Sequence, residues 1–259
     1  MKKMILAMAA GAVLLCAQTP SFEVASVKPG GSPGAGVRGG CHGIDSKYTP
    51  NEIASAPPLG RCVITDGRLG HFISIAWKLT AGETITGGPD WVTMENDRFT
   101  IEAEAANRAT STEAQLLEML QNLLVERFKL KYHRQSKEES GYALVVGKNG
   151  PKLSAAKSED TFLDLGPEGK AGVIRGSVNL TLRKYSMKEL ANLLTGISRQ
   201  PIVDQTGLAG EYDFKLAWNE TEGPALTTAV QEQLGLKLEP KKVQVSLFIV
   251  DSAEKPDEN

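Results

Sequence analysis

Three histidines, three cysteines and a few short motifs carry whatever side-chain chemistry this 259-residue chain has. Gly34-Ala-Gly-Val-Arg-Gly39 has the spacing of a dinucleotide-binding loop, but it does not lie between a strand and a helix, where such a loop must sit. Ser154-Ala-Ala-Lys157 matches the Ser-x-x-Lys of penicillin-binding enzymes. Its companions Ser-Asp-Asn and Lys-Thr-Gly are missing, and a polar linker gives a nucleophile no rigid helix start. Asp204-Gln-Thr-Gly207 approaches an aspartic-protease loop, but Gln205 interrupts it and its repeat counterpart, Thr86-Gly-Gly-Pro89, contains no aspartate. That chemistry needs two carboxylates sharing one proton. Asp204 is instead expected to bond the backbone of its own turn. There is no His-Glu-x-x-His and no Gly-x-Ser-x-Gly. His42, His71 and His133 are far apart and read as solvated or hydrogen-bonded imidazoles. The expectation is no catalytic residue, no cofactor and no metal.

Cys41 and Cys62 are expected to form one disulfide across a Gly-, Pro- and Ser-rich loop, a cross-link worth roughly 3 kcal/mol in the chain-entropy model. The competing reading is a metal held by Cys41, His42, Cys62 and His71. Adjacent Cys-His ligands and these wide gaps do not fit the usual zinc spacings.

The binding candidates are basic and aromatic. Arg127, Lys129, Lys131 and His133 alternate as one face of an expected strand, with Phe128, Leu130 and Tyr132 on the other. Two readings stand: a stripe for an anionic polymer or acidic partner, or a solvated face balanced by Glu126, Glu138 and Glu139. Trp91, after a Gly-Gly-Pro-Asp turn, is either a core plug or part of a groove. With 29 Lys+Arg against 31 Asp+Glu, bulk charge does not point to nucleic acid.

The elements that must position these residues begin after an export signal. Lys2 and Lys3 precede the apolar run Ile5–Leu15, which is too short to span a bilayer, and a cut after Ala17 is expected. The alternative is a lipoprotein cut before Cys16, against which Leu15 stands where a small residue is expected. Removal of 17 residues leaves 242 and takes the net charge from −2 to −4. The chain is then periplasmic or secreted, where a disulfide persists.

Helices are expected from Asp66 to about Leu79, from Ser111 or Thr112 to about Val125, from Ser186 to about Ile197 and from Pro224 to about Leu234. Strands are expected at 22–27, 84–86, 98–105, 127–134, 142–146, 173–182, 201–203, 212–218, 236–239 and 243–250. The order recurs. Leu69, Phe72, Ile75, Ala76 and Leu79 match Met187, Leu190, Leu193, Leu194 and Ile197, each 118 positions on. The fold class is therefore α+β, in two tandem βαββαββ-like modules with helices on one sheet face. The expected division is 1–17 signal, 18–153 first module, 154–169 linker and 170–259 second module with an acidic tail.

In topology alone, each half is similar to the small periplasmic domains at the N-termini of secretins and TonB-dependent receptors. A closer resemblance rests on four blocks: Phe22-Glu-Val-Ala-Ser-Val-Lys-Pro29; Leu123 to Lys131; Val203-Asp-Gln-Thr-Gly-Leu-Ala-Gly-Glu-Tyr-Asp-Phe214; and Glu232-Gln-Leu-Gly-Leu-Lys-Leu238. Together with the tail Asp251–Asn259, they resemble an uncharacterised family of secreted proteins expanded in soil bacteria, acidobacteria among them. The resemblance implies export and a non-catalytic envelope role, and it supplies no catalytic residue. Related domains are attached to membrane peptidase-type sensors. The functional expectation is an exported binding protein that pairs an edge strand or an inter-module groove with an envelope protein or peptide. The alternatives are a hydrolase with its site between the modules, or an accessory module for an envelope peptidase.

Overall fold

A computed structural model describes residues 19–30, 36–46, 56–94, 97–157, 162–164, 177–219 and 225–257. The expected signal segment with Cys16, residues 34–35 of the Gly-rich loop and Pro224 lie outside the described residues. The chain is α+β. The first half runs β1 (Val24–Pro29), β2 (Arg38–His42), β3 (Arg61–Gly67), α1 (Leu69–Ala76), β4 (Thr84–Gly87), β5 (Phe99–Glu104), α2 (Glu113–Arg127) and β6 (Lys131–Val146). The second half runs β7 (Ser154–Ala155), β8 (Phe162–Asp164), β9 (Ser177–Ser186), α3 (Met187–Ser198), β10 (Ile202–Asp204), β11 (Glu211–Asn219), α4 (Leu226–Leu234) and β12 (Leu236–Ser252). The expected linker thus contributes β7 and β8 to the second half's sheet.

Each half has its own sheet, ordered β1-β5-β3-β2 and β7-β11-β9-β8. A third sheet, β10-β6-β12-β4, is drawn from both halves. Its centre is the antiparallel pair β6–β12, in register from Leu236 opposite Val146 to Val250 opposite Tyr132. Each half lends the other an edge: β4 runs parallel to the end of β12, and β10 parallel to the end of β6.

The two cores share one face of this ribbon. Phe248 and Val250 belong to the first core, while Leu144, Leu236 and Leu238 belong to the second. All five are even-numbered, and alternate residues of a strand point to the same side. A cut in the 154–169 stretch would take Phe248 and Val250 away from the first core.

A local device recurs in both halves. Just before α1, Asp66 takes a positive φ of 58° where β3 gains one residue against β5; just before α3, Lys184 takes 59° where β9 gains one against β11. The N–H of Asp66 donates to Thr100 Oγ1 (3.4 Å) and that of Lys184 to Asp213 Oδ1 (3.1 Å). A bulge leaves one N–H without a ladder partner, and a side chain on the facing strand takes it up.

Several expectations need correction. Asp66 does not cap α1: the bulge holds it in the strand, and Arg68 occupies the cap position. Arg127 to Leu130 is not strand, because α2 continues to Arg127 and Lys129 turns the chain at φ 47°. The expected break between 134 and 142 is continuous β6. The two closing strands are one, β12, running through Pro240. Pro240 faces Tyr142, whose N–H points away from β12 to Pro201 O at 2.8 Å. Residues directly opposed in an antiparallel pair aim their backbone groups the same way, so the proline's missing N–H is an outward one and the ladder loses no bond.

Candidate functional site

The feature that sets β6 apart is its outer edge. β12 covers one side of β6 along its length, but β10 covers the other only at Tyr142–Leu144. No described strand pairs with the outer edge of residues 131–141. Tyr142 N–H and Leu144 O (to Gln205 N–H, 2.9 Å) both point outward, and the register is unbroken back to Tyr132. Tyr132, Arg134, Ser136, Glu138 and Ser140 therefore aim their N–H and C=O groups outward. Such a row is a template for another strand.

The side chains along it form two faces. On the core side, Tyr132 stacks on Phe248 at 4.7 Å, and Trp77 meets both edge-on at 4.8 and 5.1 Å. The Arg134 guanidinium lies 5.7 Å over the Phe248 ring and pairs with Glu83 at 2.6 Å. Burial pushes the Glu83 carboxyl up, but the Thr80 N–H and Arg134 outweigh it and hold the group below its usual range. The other face carries Lys131, His133 and Lys137, with His133 Nδ1 2.9 Å from Asp251 Oδ1 and Lys137 paired with Glu139 at 3.0 Å.

Of the expected binding residues, only Lys131 and His133 lie together on β6. Arg127 ends α2 beside Glu126, and Lys129 sits in the turn. Trp91 is 8% exposed and packs against Phe99 and Phe128 in the first core. Glu83, Ser136 and Phe248 join the site without having been singled out. From Gln135 to Gly141 the sequence is polar on both faces, and a strand that buries neither face gives no alternation to find.

The remaining chemistry-bearing residues have structural partners. Cys41 faces Cys62 across β2–β3, and the two form a disulfide, which takes both sulfurs from the metal reading. His42 Nδ1 lies 2.6 Å from Pro57 O. His71 Nδ1 accepts the Arg68 N–H at 3.1 Å at the start of α1. Burial, then Arg68 and Arg98, lower its pKa, which keeps that nitrogen an acceptor. Asp204 Oδ1 takes the Thr206 N–H at 2.9 Å and so holds its turn.

A hollow of about 270 Å³ lies between the halves, lined by Thr80, Glu83, Lys188, Asn192, Pro201 and Gln244 among others. Its one lining carboxylate, Glu83, is already bonded to Thr80 and Arg134, and no histidine lines it. Among the described residues it offers no second carboxylate to share a proton.

A family model described as "Protein of unknown function (DUF3738)" matches residues 70–253, most of the chain. The chain belongs to the DUF3738 family. No curated protein and no solved structure matches it. The DUF3738 match runs from α1 to the end of β12 and so contains the whole β6–β12 ribbon, whereas β1 to β3 and the Cys41–Cys62 bridge precede it. No helix among the described residues is long and apolar enough to cross a membrane.

Proposed function

We propose that this DUF3738 chain is an exported, non-enzymatic interaction protein of the cell envelope. It takes an extended strand of another protein or peptide onto the outer edge of β6. The observation that carries the reading is the stretch 131–141: proline-free, exposed along most of its length, and backed by a ribbon anchored in both cores. Strand addition needs that combination, because backbone hydrogen bonds give the affinity and a rigid template avoids an ordering cost. Export is supported by the Lys2-Lys3 start, the apolar run after it and the Cys41–Cys62 bridge, a cross-link suited to an oxidising compartment. The shared element order and the paired bulges support a build from two copies of one βαββαβ unit.

The test is cross-linking in an envelope fraction. A photoreactive residue at Gln135 should capture partners whose cross-linked segment is extended, and Ser136→Pro should abolish the capture while the chain stays folded. Equal capture by both forms counts against the reading. Cell fractionation tests export: a full-length, unprocessed chain held in the cytoplasm sinks that part.

A further inference from the structure

We infer that the strand taken up by this edge is β6 of a second copy of the chain, antiparallel, with the two Ser136 residues facing each other on a two-fold axis. The inference rests on the reading of β6 as a strand acceptor and names the acceptor's partner.

The open stretch has fixed limits. At Tyr142 it is closed by β10, and before Lys131 the chain turns away at Lys129. The midpoint of 131–141 is Ser136. A second β6 aligned on that residue fills the stretch from end to end and stops where β10 begins. The outward groups belong to even-numbered residues, and this alignment sets even against even. Tyr132 then faces Ser140, and Arg134 faces Glu138. The outward residues of two such edges form roughly ten backbone hydrogen bonds.

Charge selects the register. Centred on Ser136, Arg134 meets Glu138 of the second copy, His133 meets Glu139, Gln135 meets Lys137 and Lys131 meets Gly141. No like charges are opposed, and the two-fold axis doubles each favourable pair. Moving one strand by two residues parts Arg134 from Glu138 in either direction, setting it against Ser136 or Ser140, and in one direction sets Lys137 against itself. Directly opposed like charges destabilise a strand pair. The edge is complementary to itself in one register, and the result is a continuous sheet through two copies, β4-β12-β6 meeting β6-β12-β4.

The experiment uses the full mature chain. Sedimentation over a range of concentrations should show a monomer–dimer equilibrium. Ser136→Cys should give a covalent dimer on mild oxidation, because hydrogen-bonded antiparallel partners stand about 5.5 Å apart, within disulfide reach. Arg134→Glu or Glu138→Arg alone should weaken the dimer by about ten-fold or more, and the two together should restore it. If Arg134→Glu unfolds the chain, the Ser136→Cys cross-link and Glu138→Arg still decide. A monomer at every concentration with no Ser136→Cys dimer overturns the self-pairing, as does a dimer that cross-links elsewhere but not at position 136. If self-pairing fails while Ser136→Pro still abolishes envelope capture, the strand-acceptor reading survives alone. If Ser136→Pro changes neither association nor capture, both fall.

Discussion

β6 and β12 are paired along almost their full length, yet their outer edges differ. Each is closed at its C-terminal end by a short parallel strand from the other half: β10 on β6, β4 on β12. The rest of each outer edge has no described strand beside it. On β12 that stretch contains Pro240, with Val243 and Val245 buried. On β6 it contains no proline and is exposed from Lys131 to Glu138. A proline at an outward position removes a donor from the edge without touching the ladder. One edge is thus blunted and its counterpart left with its donors, within one sheet. On the proposed reading, the acceptor is the edge that lacks the proline.

The largest effects should come from the ribbon's two ends. Phe248 fills the first core, and Leu144 the second. Phe248→Ala should cost about 3–5 kcal/mol and Leu144→Ala about 2–5 kcal/mol in denaturant unfolding. Because the ribbon is shared, each should move one cooperative transition. Two separate transitions, only one of which shifts, would show that the halves are independent and that the edges cannot be compared within one body.

Proline placement tests the edge assignment itself. Lys137 points its N–H inward to β12, and Ser136 points its N–H outward. Lys137→Pro should cost on the order of 2–3 kcal/mol through a lost ladder bond and ring clash, whereas Ser136→Pro should cost less than about 1 kcal/mol. Equal losses would place the outward groups on the wrong residues. Pro240→Ala is the converse change. It should alter stability by less than about 1 kcal/mol while returning a donor to the β12 edge, visible as one new, rapidly exchanging amide.

The helices were legible because their signals are local. Thr112 with Gln115 and Ser186 with Glu189 form capping boxes, and the apolar spacing behind them is helical. β5 and β11 were legible because each buries one face and alternates. β6 was legible only at its ends, 131–134 and 142–146, because the stretch between them buries almost nothing and carries charge on both sides. Pro240 read as a break because its harmlessness depends on which way one N–H points, and only the partner strand decides that. The turn at Lys129 divides the basic residues expected to share one strand face. The proposed site depends on an edge with no described strand beside it, and pairing across more than 90 positions leaves no local trace.

The smallest effect separates the two loops that deliver the closing strands. In the first half, the loop before β4 is held by Glu83, which accepts the Thr80 N–H at 3.0 Å and binds Arg134 on the β6 edge. In the second half, Pro201 stands 118 positions on, and the Thr195 hydroxyl accepts the Ile202 N–H at 2.9 Å instead. A hydroxyl does not titrate in this range, but Glu83 does. Its folded pKa lies below the usual 4.5, so its contribution is complete above that value and is lost as pH falls through the lower folded one. Acidification from pH 6 to pH 3 should therefore release amide protection at 80–87 before 195–204, after correction for intrinsic exchange. Glu83→Gln should make the two loops respond alike. If the loops lose protection together in the unaltered chain, Glu83 does not anchor the β6 edge, and the difference between the edges lies in Pro240 alone.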